Sequence, residues 1–305
     1  MVSYRSAEAQ AAHAVGKASA IGQVRHDSRT DGKIHSHGTA RSYGQALRGF
    51  AAWRSEQGFR GDLQQATTAE ARAYLGERAG EVSQKTLDLD RQSMSILPRV
   101  EPKDLDRTVS AVDSRTGLGE APRAYTAEQA QIIAAAQSPQ HALATEIAAA
   151  AGVRAHELLT LRPADERPAS DHREFRDDRF TGRSDVAVYT VEGKGGLVRE
   201  VAVPADLAQR LEATRLAQAR TVTDRGVKYE QHYAISGGQK WSQDFGKHSK
   251  EERGWSTGAH GLRHGYAQDR IEELQRIGYT MDDAREVVSQ ELGHFRGDVT
   301  NTYLR

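Results

Sequence analysis

Two short β-branched runs stand in a chain whose other periodic segments have helical spacing. Residues 186–191 read Val-Ala-Val-Tyr-Thr-Val, residues 197–203 read Leu-Val-Arg-Glu-Val-Ala-Val, and the connection between them contains three glycines. Because glycine supplies the positive φ that a tight turn requires, this pattern predicts one β-hairpin. The sequence as a whole therefore predicts a mainly α protein with a small β-hairpin or sheet.

The length of the chain and its stretches rich in glycine, proline and polar residues predict two domains. At 305 residues the chain is near the length at which a single apolar core divides. Residues 1–38 have no sustained apolar stripe, so we expect a flexible basic arm. Residues 39–112 are predicted to form a helical domain, residues 113–122 a linker, and residues 123–305 a second domain of mixed α and β structure.

Start signals and apolar spacing predict three helices in the first domain. The first begins at a Thr39 cap and ends at Gly58, and its stripe of aromatic and aliphatic side chains is typical of core packing. The second follows a capping box that opens at Thr67, and the third covers residues 83–97.

The second domain is predicted to begin with helices. One follows a capping box at Thr126, and another runs through the alanine-rich segment 141–151. A further helix is expected to carry Arg154 and Glu157 on one face, because residues three apart are neighbours on a helix. An ordinary helical Arg–Glu pair would give the same pattern.

Further helices are predicted after the hairpin. Apolar spacing indicates a helix over residues 205–220, whereas residues 221–258 contain many glycines and are expected to be partly loop. Helices are then expected to start at His260 and at a Thr280 cap, and the latter ends at Gly293.

The numbers of charged residues neither clearly support nor clearly oppose a nucleic-acid partner. The chain has 42 Lys and Arg against 42 Asp and Glu, which is not the basic surplus of a typical DNA-binding protein. Residues 1–60, however, hold nine basic and four acidic residues. A DNA-contacting surface and an ordinary solvated face are both consistent with this local surplus.

Composition excludes several classes of protein. Without cysteine the chain has no disulfide framework, no thiolate nucleophile and no cysteine-based zinc site. No apolar run reaches the ~18 residues of a membrane span, and the N-terminus lacks the apolar stretch of a secretory signal. We therefore expect a cytoplasmic protein without a membrane partner.

Six polar residues of the second domain are predicted to form its functional site. In chain order they are Arg154, Lys194, His260, Arg263, His294 and Tyr303. The last four lie in the segments His260-Gly-Leu-Arg-His-Gly-Tyr-Ala-Gln268, Glu291-Leu-Gly-His294 and Val299-Thr-Asn-Thr-Tyr303. These segments resemble the motifs of the tyrosine recombinase family, the phage-type integrases, and in particular those of a bacterial subgroup of integrase-domain proteins.

The resemblance implies a site-specific DNA recombinase. It covers residues 123–305 well, as the catalytic domain, and residues 39–112 loosely, as the helical core-binding domain that clamps DNA. Enzymes of this family cut and rejoin DNA through a 3′-phosphotyrosyl intermediate, here in the integration or excision of a mobile element.

The resemblance also implies partners and a location. The partners are double-stranded DNA, the other subunits of a homotetramer on paired DNA sites, and accessory DNA-bending proteins, all in the nucleoid of a bacterial cell. Many recombinases continue past the tyrosine with a helix that docks on the neighbouring subunit, whereas this sequence ends two residues after Tyr303. We therefore expect weak self-association without DNA.

The chemistry of phosphodiester displacement assigns a role to each residue. Tyr303 is the expected nucleophile, because a phenol can attack phosphorus and later leave again. Arg154 and Arg263 are expected to clamp the non-bridging oxygens, since a guanidinium is a planar fork of donors that stays charged. Lys194 is the expected acid for the departing 5′ oxygen.

The remaining side chains support that reaction. His260 is expected to assist as acid or base, His294 to donate a hydrogen bond to the phosphate, and Glu157 to position Arg154. The arginines supply the charge that a metal ion would bring, so we expect no metal and no cofactor. A zinc site at His260 and His264 is disfavoured because the pair lacks the acidic residue of H-E-x-x-H.

Two other functions share these residues. A type IB topoisomerase uses a similar set and relaxes supercoils without a matched pair of sites. A DNA-binding relative that has lost catalysis would retain the fold, but here all six catalytic positions are filled.

Overall fold

The computed structural model describes residues 5–21, 32–112, 122–193 and 195–304. The chain divides into two compact units, Met1–Glu120 and Ala121–Arg305. The division falls within the predicted linker 113–122, of which only residue 122 is among the described residues. In the described part of the chain, no helix is both long and apolar enough to span a membrane.

The first unit is helical. Its helices are α1 (Ala7–Ala18), α2 (His37–Glu56), α3 (Thr68–Arg78) and α4 (Gln84–Met94), with 3-10 turns at Leu63–Gln65 and Pro102–Asp104. The core contains Leu47 and Phe50 of α2 together with Tyr74 of α3, and the rings of Phe50 and Tyr74 lie 5.2 Å apart. The apolar stripe of the first predicted helix therefore packs as expected.

The beginning of the chain differs from the flexible arm predicted for residues 1–38. Ser6 caps α1 by accepting a hydrogen bond from the backbone N of Ala9, and Ala11 and Ala14 are buried in the same core as α2. The cap of α2 is also different, because the side chain of Ser36 rather than Thr39 accepts the free backbone N–H, at 3.0 Å. The helix consequently starts at His37.

The second unit combines helices with two small antiparallel sheets. In chain order its elements are α5 (Ala127–Ala135), α6 (Pro139–Ala151), β1 (Arg162–Pro163), β2 (Val186–Glu192), β3 (Val198–Pro204), α7 (Ala205–Glu212), β4 (Arg215–Asp224), β5 (Val227–Tyr233), α8 (Gly238–Arg253), α9 (His260–Arg276), α10 (Met281–Glu291) and α11 (Gly297–Thr300). The predicted hairpin is confirmed as β2 and β3, paired from Val186 with Pro204 to Glu192 with Val198.

The predicted helix over residues 205–220 is wrong beyond Glu212. The chain leaves α7 there, and Leu216 lies on β4 instead of on a helix. Strands β4 and β5 pair across Arg225 and Gly226, which both have positive φ, as a two-residue hairpin turn with matching twist requires. Part of the stretch expected to be loop is therefore a hairpin, and α8 follows it.

Two glycines bring α9 against the start of the unit. A Cβ at Gly261 would lie 2.4 Å from the carbonyl oxygen of Arg123, and one at Gly265 would lie 2.2 Å from that of Tyr125. The backbone N of Tyr125 also donates to the carbonyl of Gly261 at 3.3 Å. This close approach fixes the helix that begins at His260, where the sequence predicts a helix start.

A buried carboxylate joins α9 to α10. Glu291 is 1% exposed and accepts from Arg270 Nε at 3.1 Å and from the hydroxyl of Tyr266 at 2.7 Å. Its other contact is the backbone N of Phe180, at 3.1 Å. Because Arg270 and Tyr266 are themselves buried, the end of α10 has a defined position.

Candidate active site

Arg154 follows α6 in an irregular turn. Gly152 ends α6 with a left-handed φ of 61°, and the next regular element is a 3-10 turn at Glu157–Thr160. The α-helix predicted to carry Arg154 and Glu157 is therefore wrong, but their contact is made. Glu157 Oε1 accepts from Arg154 Nη1 at 2.6 Å, and Oε2 accepts from the Arg154 backbone N at 2.7 Å.

Glu157 lies fully buried between cations. Its Oε2 also accepts from Nη2 of Arg199, a residue of β3, at 2.7 Å. Burial raises the pKa of the carboxyl, but the charges of Arg199, Arg263 and Arg154 outweigh it and lower the pKa to about 2. Glu157 is therefore a carboxylate at neutral pH.

Arg263 projects from the first turn of α9 into the interior and is 1% exposed. Its Nη1 donates to the carbonyl of Gly152 and its Nη2 to the carbonyl of Leu292. The third nitrogen, Nε, donates to the hydroxyl of Tyr303 at 3.3 Å. Burial, followed by the neighbouring charge of Arg154, lowers the pKa of Arg263 to about 10, so the guanidinium stays charged near neutral pH.

His294 lies at the centre of the cluster. It follows Gly293, whose φ of 75° ends α10, and its Nε2 is 3.2 Å from both Arg154 Nη2 and Arg263 Nη2. Burial and the charges of Arg263 and Arg154 lower the pKa of His294 to about 3. The ring is therefore neutral, and because guanidinium nitrogens only donate, Nε2 is assigned as the acceptor.

Tyr303 is buried against these same groups. It ends the 3-10 turn Asn301–Tyr303, is 5% exposed, and its hydroxyl lies 3.0 Å from His294 Nε2. Because Nε2 accepts, the hydroxyl donates to it while accepting from Arg263 Nε. The phenol thus faces the residues predicted to bind the phosphate and is shielded from solvent by them.

His260 lies beside the phenol on the exposed side. Its ring centroid is 5.7 Å from that of Tyr303. Partial desolvation of the imidazole, followed by the charge of Arg263, lowers the pKa of His260 to about 4. A neutral ring at this place can accept a proton from a neighbouring group.

The predicted Lys194 lies outside the described residues. Its neighbour Gly193 is described and places the hairpin turn next to the site. A Cβ built on Gly193 would be 3.4 Å from Glu157 Oε1 and 3.9 Å from Arg154 Nη1. The structure therefore brings five of the six predicted residues together with Glu157, and the turn before Lys194 adjoins them.

Three neighbours of the cluster have no role in the sequence-based prediction. The ring of His264 is 4.9 Å from that of Tyr303, and Gln268 Nε2 donates to the Tyr303 carbonyl at 2.9 Å. Both follow His260 at intervals of four, so helical spacing could have indicated them. Arg199 and Val201 are two residues apart on β3 and therefore point to the same face of the sheet, and both are buried. This alternation along the strand could have indicated that Arg199 is buried.

In the described residues, no group of three or more His, Asp or Glu side chains could hold a metal ion. The cluster instead combines two guanidiniums, a neutral imidazole and a phenol around one small volume. Such an arrangement can bind an anion and present an oxygen nucleophile to it.

Comparison with known proteins identifies the fold. A scan of protein-family models and a search of curated proteins found no match. The integrase of transposon Tn1549, in complex with transposon right end DNA, has a TM-score of 0.56 at 15% identity, covering 97% of this chain and 94% of that chain.

Two further solved structures are similar over most of the chain. The XerH site-specific recombinase bound to palindromic difH substrate, in a post-cleavage complex, has a TM-score of 0.53 at 13% identity over 98% of this chain and 90% of that chain. A lambda integrase dimer bound to a COC′ core site has a TM-score of 0.53 at 17% identity over 92% and 93%. This chain therefore has the tyrosine-recombinase fold, and the predicted fold class is confirmed.

Proposed function

We propose that this chain is a tyrosine recombinase that cuts and rejoins DNA at specific sites. The observation that carries the proposal is the position of the Tyr303 hydroxyl, 3.3 Å from Arg263 Nε and 3.0 Å from His294 Nε2. Arg154 approaches the same imidazole from another direction, at 3.2 Å. A nucleophile, a proton acceptor and two anion-binding cations thus share one small site.

The proposed reaction starts with attack of the Tyr303 oxygen on the phosphorus. The phenolic proton passes to His294 Nε2, whose pKa the negative charge of the bound phosphate would raise, and the resulting imidazolium can donate to a phosphate oxygen, which is the role predicted from the sequence. The bond from phosphorus to the 5′ oxygen breaks, and that oxygen leaves with the electron pair and takes a proton from Lys194. A 3′-phosphotyrosyl link and a free 5′-hydroxyl result, and the reverse sequence rejoins the strand.

Arg263 has donors for both the phenol and a phosphate. Its Nη1 and Nη2 each give one hydrogen to a carbonyl, of Gly152 and of Leu292 respectively, and its Nε donates to the Tyr303 hydroxyl. A guanidinium has five N–H donors, so hydrogens beyond these three contacts are left for a phosphate oxygen. A phosphate bound there would lie next to the attacking phenol.

The proposal extends to partners and location. The solved relatives include recombinases and integrases bound to DNA and a lambda integrase tetramer bound to a Holliday junction. We propose double-stranded DNA as the substrate, a homotetramer on paired sites, and a role in the integration or excision of a mobile element. The bacterial nucleoid is the proposed location, and the reaction needs no metal ion.

A suicide substrate tests the catalytic claim. The protein is incubated with nicked DNA and a metal chelator, and covalent adducts are resolved by denaturing electrophoresis. We expect an adduct with the wild type and none with Tyr303→Phe, whose DNA binding should stay nearly unchanged. Tyr279→Phe is the matched control, because the Tyr279 hydroxyl bonds to Asp178 outside the cluster, and it should keep the adduct.

Three outcomes would point elsewhere. An adduct that persists in Tyr303→Phe would show that another residue is the nucleophile. Adduct ends that map to many sites would indicate a topoisomerase, since a recombinase cuts at one site. The absence of any adduct would indicate an inactive DNA-binding relative.

The two arginines are tested in the same assay. Arg154→Ala and Arg263→Ala should each slow adduct formation by about 10²–10³-fold, the usual cost of one preorganised donor.

A further inference from the structure

Arg199 is a buried cation that the proposed reaction does not use. Its side chain is 1% exposed, and within the described part of the chain its Nε and Nη1 have no hydrogen-bond partner. Among the described residues, its ion pair is the one that joins Nη2 to Glu157 Oε2 at 2.7 Å. Burying a charge with two unsatisfied nitrogens costs stability, so the arginine needs an explanation beyond packing.

Glu157 connects Arg199 to Arg154. The carboxylate accepts three hydrogen bonds, one from Arg199 Nη2 and two from Arg154, through its backbone N and Nη1. A protonated carboxyl would direct its own hydrogen at one of these donors and lose that bond. The contact that holds Arg154 therefore depends on Glu157 staying ionised.

We propose that Arg199 is a positioning residue for DNA cleavage, which keeps Glu157 in its place and thereby fixes Arg154 beside His294. Arg199 does not touch the reacting atoms. Arg154 Nη2 lies 3.2 Å from His294 Nε2, which in turn lies 3.0 Å from the Tyr303 hydroxyl. The effect on cleavage rests on the proposed function, whereas the chain of ion pairs can be tested without it.

Several charged and titratable groups face Glu157. They are Arg154 before the 3-10 turn, Arg199 on β3, Arg263 on α9, and the rings of His156 and His294. Burial lowers the pKa of both histidines, so the arginines are the cations near neutral pH. Because the Arg199 cation lies 2.7 Å from Oε2 and lowers the pKa of the carboxyl, its loss would let Glu157 bind a proton at a higher pH.

The first test follows adduct formation on nicked DNA from neutral pH down to about pH 5, above the ordinary range of a glutamic acid. Arg199→Met should slow the reaction by about a hundredfold, the scale of a misplaced catalytic group, and should slow it further on acidification. Arg199→Lys retains a cation and should recover most of the rate and the wild-type pH profile.

A double variant identifies the titrating group. Arg199→Met combined with Glu157→Gln has no carboxyl to protonate, so its rate should not show the additional acid dependence of Arg199→Met. Replacing both partners of a buried pair also costs less stability than removing one, so the double variant should fold if the single variant does not. A wild-type pH profile for Arg199→Met, or an acid dependence that persists in the double variant, would overturn the proposal.

A second readout needs no DNA. Carbon-13 NMR of the glutamate carboxyls, assigned by comparison with Glu157→Gln, should show Glu157 ionised to low pH in the wild type and in Arg199→Lys, and titrating at higher pH in Arg199→Met. An unchanged titration would refute the inference even if the wild type cuts DNA. If the wild type forms no adduct but the titration shifts, the proposed function fails and the ion-pair chain stands.

Discussion

Replacing Gly293 by alanine tests whether the residue before His294 must be glycine because of Arg199. Gly293 has a φ of 75°, and a Cβ there would lie 2.8 Å from Arg199 Cδ and 2.9 Å from Arg199 Nε. Real Cβ atoms do not approach so closely, and Arg199 cannot withdraw freely because Glu157 holds its Nη2. Either Arg199 or the Gly293 backbone must shift.

The expected cost has two parts. A left-handed backbone costs an L-residue about 1–2 kcal/mol, and overpacking a buried position costs about 1–3 kcal/mol more. Gly254 isolates the first part, because its φ is 77° and nothing lies within 4 Å of a Cβ built there. Gly254→Ala should therefore lose only the backbone cost, and Gly293→Ala about 2–5 kcal/mol in total.

Urea unfolding followed by circular dichroism measures both variants side by side, and the suicide-substrate assay measures their cleavage. Gly293→Ala should be the less stable variant and should also form the covalent adduct more slowly, since Arg199 supports Glu157. Gly254→Ala should cleave at the wild-type rate. Equal stability losses in the two variants would refute the packing argument, and normal cleavage by Gly293→Ala would refute the link to the active site.

Three further predictions concern stability. The folded pKa of Glu157 is about 2 against an ordinary 4.5, so this carboxylate stabilises the fold above pH 4.5 and the contribution is lost as pH falls towards 2. Urea unfolding at several pH values should show a loss over that window that is ~3 kcal/mol larger in the wild type than in Glu157→Gln. Gly265→Ala should be destabilised by about 1–3 kcal/mol or more, because its Cβ would lie 2.2 Å from the Tyr125 carbonyl oxygen. Gly76→Ala, in the exposed interior of α3 with open space around it, should instead be more stable by about 0.4–1 kcal/mol, and thermal unfolding compares the two.

Sequence patterns predicted the fold best where the signal was local. The β-branched residues directly predict the hairpin of β2 and β3. The side-chain oxygen of Thr280, placed before a helix, directly predicts the cap of α10. The helix over 205–220 failed because Leu216 continues the apolar spacing past the end of α7. Only pairing with β5, a tertiary interaction, shows that this leucine lies on a strand.

The sequence named six candidate site residues, of which the structure brings five together, but it did not predict the contacts between them. Motif spacing named Arg263, His294 and Tyr303, and the structure places them within hydrogen-bonding distance of one another. The sequence predicts a helix that ends at residue 151, before Gly152, but not the irregular turn that carries Arg154. Spacing also cannot show that Arg199 of β3 reaches Glu157, because that contact joins residues 42 positions apart.

Three guanidiniums lie around a single carboxylate, and this clustering affects how the protein would bind a polyanion. The chain carries as many acidic as basic residues, so it has no net charge to attract a polyanion from a distance, and dissolved ions screen the remaining local fields beyond about 10 Å. The local excess at Arg154, Arg199 and Arg263 acts only near contact. Binding of a polyanion would therefore depend little on long-range electrostatic steering and mainly on shape complementarity. A polyanion of the wrong shape would dissociate before it came close enough to interact with these guanidiniums.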